Sequence, residues 1–253
     1  MDINFFSAWL NDLLDPKSFK DYCVNGLCVE ANTRVTRVVT GVSFRDCLID
    51  AAIEDGADCI IVHHPNGFWK NEDRVPVGRF GARMRKLFNN GINLYGYHLP
   101  LDGHMEVGNN VQIAKAMGLS NVSGFLQEGE KTIGVVGEWE TAATQTEFME
   151  SVANAFPYGL QNAMMYGSDT IKRVAICSGS GSSAIEEAMK LDCDVLVTGE
   201  IKEHVPIDCE ELGFNLVNCG HHRTEVFGVR ALAEKIQEEL NIPAKFVDFD
   251  NPV

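Results

Sequence analysis

Hydrophobic positions along the chain alternate between helical and extended spacing. MDINFFSAWLNDLLDPKSF, at the N-terminus, predicts an amphipathic helix with Phe6, Trp9, Leu10 and Leu13 turned inward. SFRDCLIDAAIEDGA predicts a second helix, and the unbroken apolar run of DCIIVHH predicts a strand covered on both faces. RFGARMRKLFNNG reads as a helix and INLYGYH as the next strand, with Gly91 at the helix end where a left-handed cap is expected. VGNNVQIAKAMGL closes this half as a helix.

The alternation resumes after SNVSGFLQEGE, a polar, glycine-bearing stretch that marks a boundary. KTIGVVGEWE, IKRVAICSG, DVLVTGE and FNLVNCG predict strands, with helices over TQTEFMESVANAF, SSAIEEAMKL and KEHVPIDCEELG. A long helix from about Thr224 to Leu240 precedes a closing strand, AKFVDFD. The rhythm is that of an α/β protein with largely parallel sheets, organised as two similar domains over residues 1–125 and 126–253. In this division the C-terminal segment is free to pack back on the first domain.

Composition narrows the function classes. A chain of 253 residues, 45% hydrophobic and 23% charged, is long enough for a sizeable core. Its net charge of -15 and lack of a basic stripe disfavour binding to nucleic-acid backbones. No apolar run approaches the roughly 20 residues needed to span a bilayer. Asp2 opens the chain where a secretion signal would carry cations, so a soluble cytoplasmic protein is expected. The eight cysteines include no C-x-x-C pair and sit mostly in apolar segments, which argues for reduced, buried thiols.

Three segments carry the chemistry. His63 and His64 end one predicted strand; His98, Asp102 and His104 follow another; His221 and Glu225 stand four apart at the mouth of the last helix. Open α/β sheets bind ligands beyond the carboxyl ends of their strands, where these residues fall. Pro100 argues against a regular helix between His98 and Asp102, so a loop is expected to deliver them. Mixed imidazole and carboxylate donors suit zinc, iron, manganese or nickel, and their number points to two divalent ions, with the two oxygens of Glu225 able to bridge. His222 faces elsewhere on a helical start, behind the ligands or against substrate.

Other features have two readings each. The SGSGSS turn offers backbone N–H groups to an anion, or is a tight turn capped by Ser182 or Ser183; it lacks the lysine of a P-loop. Glu200 is a cavity acid or a helix-start carboxylate. Phe68 and Trp69 form a stacking wall for a planar base, or core packing. Arg223 and Lys202 are candidate anion contacts by proximity alone.

VHHPNGFW, YHLPLD, VGNN, TGE, GHHRTE and the terminal VDFDNPV together resemble the Nif-three-like family of dinuclear metal proteins, whose bacterial members carry the name GTP cyclohydrolase 1 type 2 homologue. The likeness runs from the N-terminal helix to the C-terminus and is to the short form of the family. It implies metal contacts from His63, His64, Asp102, His221 and Glu225. It also implies two α/β domains in a ring-like homohexamer with its sites facing an internal cavity. If the family's named activity applies, the substrate is GTP, attacked at C8 of its imidazole ring with release of formate. The reaction expected from the residues themselves is metal-dependent hydrolysis, with Asp102 and Glu225 holding the ions while His98 and Glu200 move protons. A hydrolase of another phosphoester or cyclic amide, and a metal-binding or metal-delivery module without turnover, are the alternatives.

Overall fold

The structure is a computed structural model that describes all 253 residues. Its strands are β1 (Gly26–Val29), β2 (Val38–Ser43), β3 (Cys59–His64), β4 (Asn93–Gly96), β5 (Ser120–Glu128), β6 (Lys131–Thr144), β7 (Asn162–Met165), β8 (Thr170–Cys177), β9 (Val195–Thr198), β10 (Asn215–Asn218) and β11 (Ala244–Phe246). Contacts group Met1–Leu101 with Gly228–Phe249 as one unit and Asp102–Phe227 with Asp250–Val253 as the other. No helix is long and apolar enough to cross a membrane.

The first unit is built on a sheet in the order β1-β4-β3-β2-β11, in which only the edge strand β1 runs antiparallel to its neighbour. Residues Cys59–Val62 of β3 are wholly buried, the burial that an unbroken apolar run requires. Ile60 and Val62 pack with Phe44, Leu48, Ile49 and Leu87. The N-terminal helix, Ile3–Leu14, is capped by Asp2, whose carboxylate accepts the Asn4 N–H. It buries Ile3, Phe6, Leu10 and Leu14, so Leu14 rather than Leu13 faces in, and Trp9 is half-buried with its indole N–H on Glu239. Gly91 ends the helix Gly78–Asn90 at φ 61°, the left-handed cap expected from its position.

In the second unit the order is β5-β6-β8-β9-β10-β7, with β8, β9 and β10 parallel at the centre and antiparallel strands outside them. Alternate residues of β8 enter different apolar clusters: Val174 and Ile176 pack with Phe148 and Val152, whereas Ala175 and Cys177 pack with Ala184 and Ile185. That period of two shows a strand buried on both faces.

Both sheets therefore belong to the α/β class, but a boundary at 125/126 falls inside β5. The polarity of SNVSGFLQEGE comes from its place at a sheet edge, where Phe125 alone is buried and the rest of the strand pairs with β6. The division by contacts lies instead at 101/102, inside the short helix Leu99–Gly103, and again at 227/228, inside the helix Val226–Leu240. β11 returns to pair with β2 in the first unit's sheet. Pro100 does not prevent a helix between His98 and Asp102: it sits in the first turn, where no intrahelical hydrogen bond needs its missing N–H.

Candidate metal centre

Parallel pairing of β2, β3 and β4 brings three histidines of the first unit together. His64 is opposite Ser43 in the β2–β3 register, and His98 lies two residues beyond the end of β4. His63 is fully buried, with Nδ1 3.1 Å from the Tyr97 carbonyl oxygen; His64 is half-buried, with Nδ1 3.3 Å from the Ser43 hydroxyl. His98 receives two anchors from the segment before β1: its backbone N–H donates to Asn25 Oδ1 at 2.8 Å, and its Nδ1 is 3.0 Å from Asp21 Oδ1. Ring centroids are 4.7 Å apart for His63 and His64, 5.0 Å for His63 and His98, and 5.7 Å for His64 and His98.

Asp21 was not among the residues singled out by sequence, since a lone aspartate in a loop carries no motif. Burial raises its pKa, but hydrogen bonds from His98, Asn25 and Leu99 outweigh that and hold the carboxyl well below the usual carboxylate range. The two aromatics after the double histidine separate in role. Phe68 is core, edge-on to Phe80, whereas Trp69 stands 5.2 Å from the His98 ring and 5.9 Å from that of His64, stacked on Tyr22.

The second unit gathers an imidazole and three carboxylates at the carboxyl ends of β8, β9 and β10. His221 Nε2 is 3.1 Å from Glu225 Oε1, and His221 Nδ1 is 2.7 Å from Glu200 Oε2. The helix expected from about Thr224 is interrupted at Glu225, between a single turn, His221–Thr224, and the helix Val226–Leu240. Asp102 is buried, and its Oδ1 accepts from Asn109 Nδ2 at 2.8 Å and Ser178 Oγ at 3.0 Å. Cys177 reports the electrostatics: its thiol is pushed up to about 12, first by burial and then by the charges of Asp102 and Glu225. Burial pulls the His221 imidazole down, but Glu225 and Glu200 more than reverse it, to about 9. Glu200 is held below the ordinary carboxylate range, chiefly by its hydrogen bond with His221.

The SGSGSS turn is a support for these side chains. Ser178 N–H donates to Asn110 Oδ1 at 2.7 Å and Gly179 N–H to Thr224 Oγ1 at 3.0 Å, so the first two amides of the turn are committed within the protein. Neither Ser182 nor Ser183 caps the following helix, Ile185–Lys190, because both lie in a 3-10 turn that precedes it. A Cβ on Gly179 would stand 2.6 Å from Glu225 Oε1 and 3.2 Å from His221 Nε2, so the glycine leaves the space that the pair fills.

Other candidates have structural engagements. His104 Nδ1 accepts the N–H groups of Glu106 and Val107 and shapes a turn, the buried His222 donates its backbone N–H to the Val253 carbonyl, and Arg223 donates to the Tyr158 and Gly159 carbonyls. Both donor sets fit a first-row divalent metal: three imidazoles in the first unit, and an imidazole with carboxylate oxygens in the second, buried or half-buried at or just beyond strand and helix ends. A magnesium or calcium site would be built from oxygen alone.

A model of the Duf34/NIF3 (NGG1p interacting factor 3) family matches residues 1–252. A Vibrio cholerae serotype O1 protein named GTP cyclohydrolase 1 type 2 homolog is 40% identical over 249 residues, 97% of each chain. A protein of the same name from Haemophilus influenzae is 38% identical over 243 residues, 96% of each. Among solved structures, protein ybgI, described as of unknown function, aligns with TM-score 0.92 and 35% identity over the whole of both chains. A Thermus thermophilus protein aligns with TM-score 0.90 and 32% identity, again over the whole of both.

Proposed function

Because this chain belongs to the Duf34/NIF3 (NGG1p interacting factor 3) family, we propose that it is a metal-dependent hydrolase in which His63, His64, Asp102, His221 and Glu225 would hold two divalent ions. The observation that carries this reading is the pair of donor sets, buried or half-buried, each gathered at the carboxyl ends of parallel strands, where α/β sheets take their ligands. Zinc, iron, manganese or nickel fits this chemistry.

When bound, the ions would supply an acidified water and polarise the group it attacks. The protein's own part is orientation and proton handling. Asn109 and Ser178 hold Asp102 by one oxygen, which fixes the direction of the carboxylate. Glu200, at hydrogen-bond distance from His221 Nδ1 and partly exposed, is placed to pass a proton between the imidazole and solvent. His98 is the corresponding proton carrier among the first unit's histidines.

GTP, which the relatives' name carries, is the first substrate to test, with the ring opening and formate release that the family resemblance implies as the reaction to follow. One observation favours the broader class, a hydrolase of another cyclic amide or phosphoester, or a metal-delivery module without turnover. The amides of Ser178 and Gly179 are taken by Asn110 and Thr224, so the turn lacks two of the donors with which it would cradle a triphosphate. A ring-like homohexamer resident in the cytoplasm belongs to the same proposal, and sedimentation of the purified protein tests the assembly.

Metal analysis joined to a formate-release assay with GTP, on wild type and Glu225→Ala, tests the function. Turnover that needs both metal and Glu225 supports the cyclohydrolase. Metal lost in the variant, with formate from neither protein, moves the reading to another substrate or to metal handling. Wild type that takes up none of the four metals overturns the reading.

A further inference from the structure

Each histidine at the strand ends of the first unit has Nδ1 beside an oxygen of a different kind: a backbone carbonyl for His63, a hydroxyl for His64 and a carboxylate for His98. A carbonyl or an ionised carboxylate can only accept, so His63 and His98 carry their proton on Nδ1. In a neutral imidazole that leaves the lone pair on Nε2. Metal-binding histidines are assembled in this manner, with the far ring nitrogen donating to a fixed oxygen that sets tautomer and direction. One ring nitrogen from each of His63, His64 and His98 lies within 4.8 Å of one from each of the others.

We propose that His98 is a third imidazole ligand beside His63 and His64, a role that replaces the proton-carrying one given to it above because both ring nitrogens are then engaged, and that Asp21 is the positioning residue that aims it. The inference deepens the metal-binding reading above and rests on it.

Asp21 is suited to holding a ligand and poorly suited to being one. Its Oδ1 accepts from the Tyr22 N–H at 2.6 Å and from His98, and its Oδ2 accepts from Asn25 Nδ2 at 2.9 Å and the Leu99 N–H at 3.0 Å. Four donors on two oxygens leave little of the carboxylate for a cation. Cys23, close to the same pair, is no better: burial, and then the Asp21 charge, push its thiol away from the thiolate that a metal needs.

The frame around His98 is fixed from several sides. Asn25 Oδ1 holds the His98 backbone N–H, and the edge-on indole of Trp69 limits the ring's rotation. The Trp69 loop is tied to the Asp21 segment by Val24 N–H to the Phe68 carbonyl at 3.1 Å and Lys70 N–H to the Tyr22 carbonyl at 2.8 Å. Side chains only 3% and 9% exposed, for Asp21 and His98, place the charge-assisted pair out of water.

The test uses full-length protein stripped of metal and titrated with cobalt(II), with affinity read by chelator competition and ligand field by visible absorption. X-ray absorption of the zinc form counts imidazoles. His98→Gln should weaken one metal by about 10- to 100-fold, the scale of a lost orienting or ligating group, change the cobalt bands and remove one imidazole from the zinc shell. Asp21→Ala should move affinity and bands in the same direction. Asp21→Asn should restore part of both, since the amide oxygen still accepts from Nδ1. Melting curves identify any variant that fails to fold; if His98→Gln is one, the graded effect of Asp21→Ala and Asp21→Asn decides. Wild-type affinity, bands and imidazole count in folded His98→Gln would overturn the inference while leaving the metal reading intact, provided Glu225→Gln loses metal. Wild type that binds no cobalt overturns both.

Discussion

His221 and Glu225 meet Nε2 to Oε1 at 3.1 Å over Gly179, whose missing side chain leaves the space they occupy. The backbone there has φ +60°, a conformation that glycine adopts without strain. Gly179→Ala should therefore act twice, crowding the pair and straining the turn, at a cost of about 1–2 kcal/mol for the backbone alone. Zinc competition against a chelator should show at least tenfold weaker binding in a variant that still folds. Unchanged affinity would detach Gly179 from the site.

The same pair sets a pH dependence in metal-free protein. His221 is raised from 6.5 to about 9 on folding, so its contribution to stability is complete below 6.5 and is lost as pH rises through about 9. With metal chelated, the melting-temperature gap between wild type and His221→Gln should be largest near pH 6 and shrink toward pH 9. A gap that stays flat, or grows with pH, contradicts the pairing.

Ser178 touches the site only through Asp102, to which its hydroxyl donates at 3.0 Å. Hydrogen bonds to charged groups contribute about 1.5–3 kcal/mol, and Ser178→Ala removes the one that its hydroxyl gives to Oδ1. Metal affinity should fall by about tenfold while the circular dichroism spectrum is retained. Loss of folding with no effect on metal in the folded fraction would make the contact purely structural.

Leu10 is fully buried, on the inner face of the N-terminal helix. Leu10→Ala should cost about 2–5 kcal/mol, the range for emptying a core leucine site, measured by urea unfolding. A cost under about 1 kcal/mol would mean that the helix is not docked as described.

A fragment spanning residues 1–125 should fail to fold. It cuts β5 in the middle and omits β11, which covers one edge of the first sheet through its pairing with β2. Dispersed amide proton spectra from this fragment would argue that β11 and its helix are dispensable.

The α/β class was legible because its signal is local. A run such as CIIV is apolar throughout when a strand is covered on both faces, and Gly91 caps a helix where a left-handed residue is needed. The strand-end histidines were legible for the same reason: residue type and place on one element suffice. β5 was missed since an exposed edge strand has the polarity of a loop, and the Pro100 helix since one turn can begin at a proline. Asp21 had no local signal at all, and the motifs that contain Ser178 and Thr224 gave no sign of the partners those hydroxyls take, Asp102 and the Gly179 N–H.

The sequence by itself determined which residues end the strands and which donor chemistry they carry, because strand periodicity and side-chain type are properties of neighbours along the chain. Tertiary structure decided what holds those donors. His98 is aimed by Asp21, 77 positions away, and Asp102 by Ser178, 76 away. Such contacts arise when buried polar atoms find partners during packing, and no spacing along the chain encodes them.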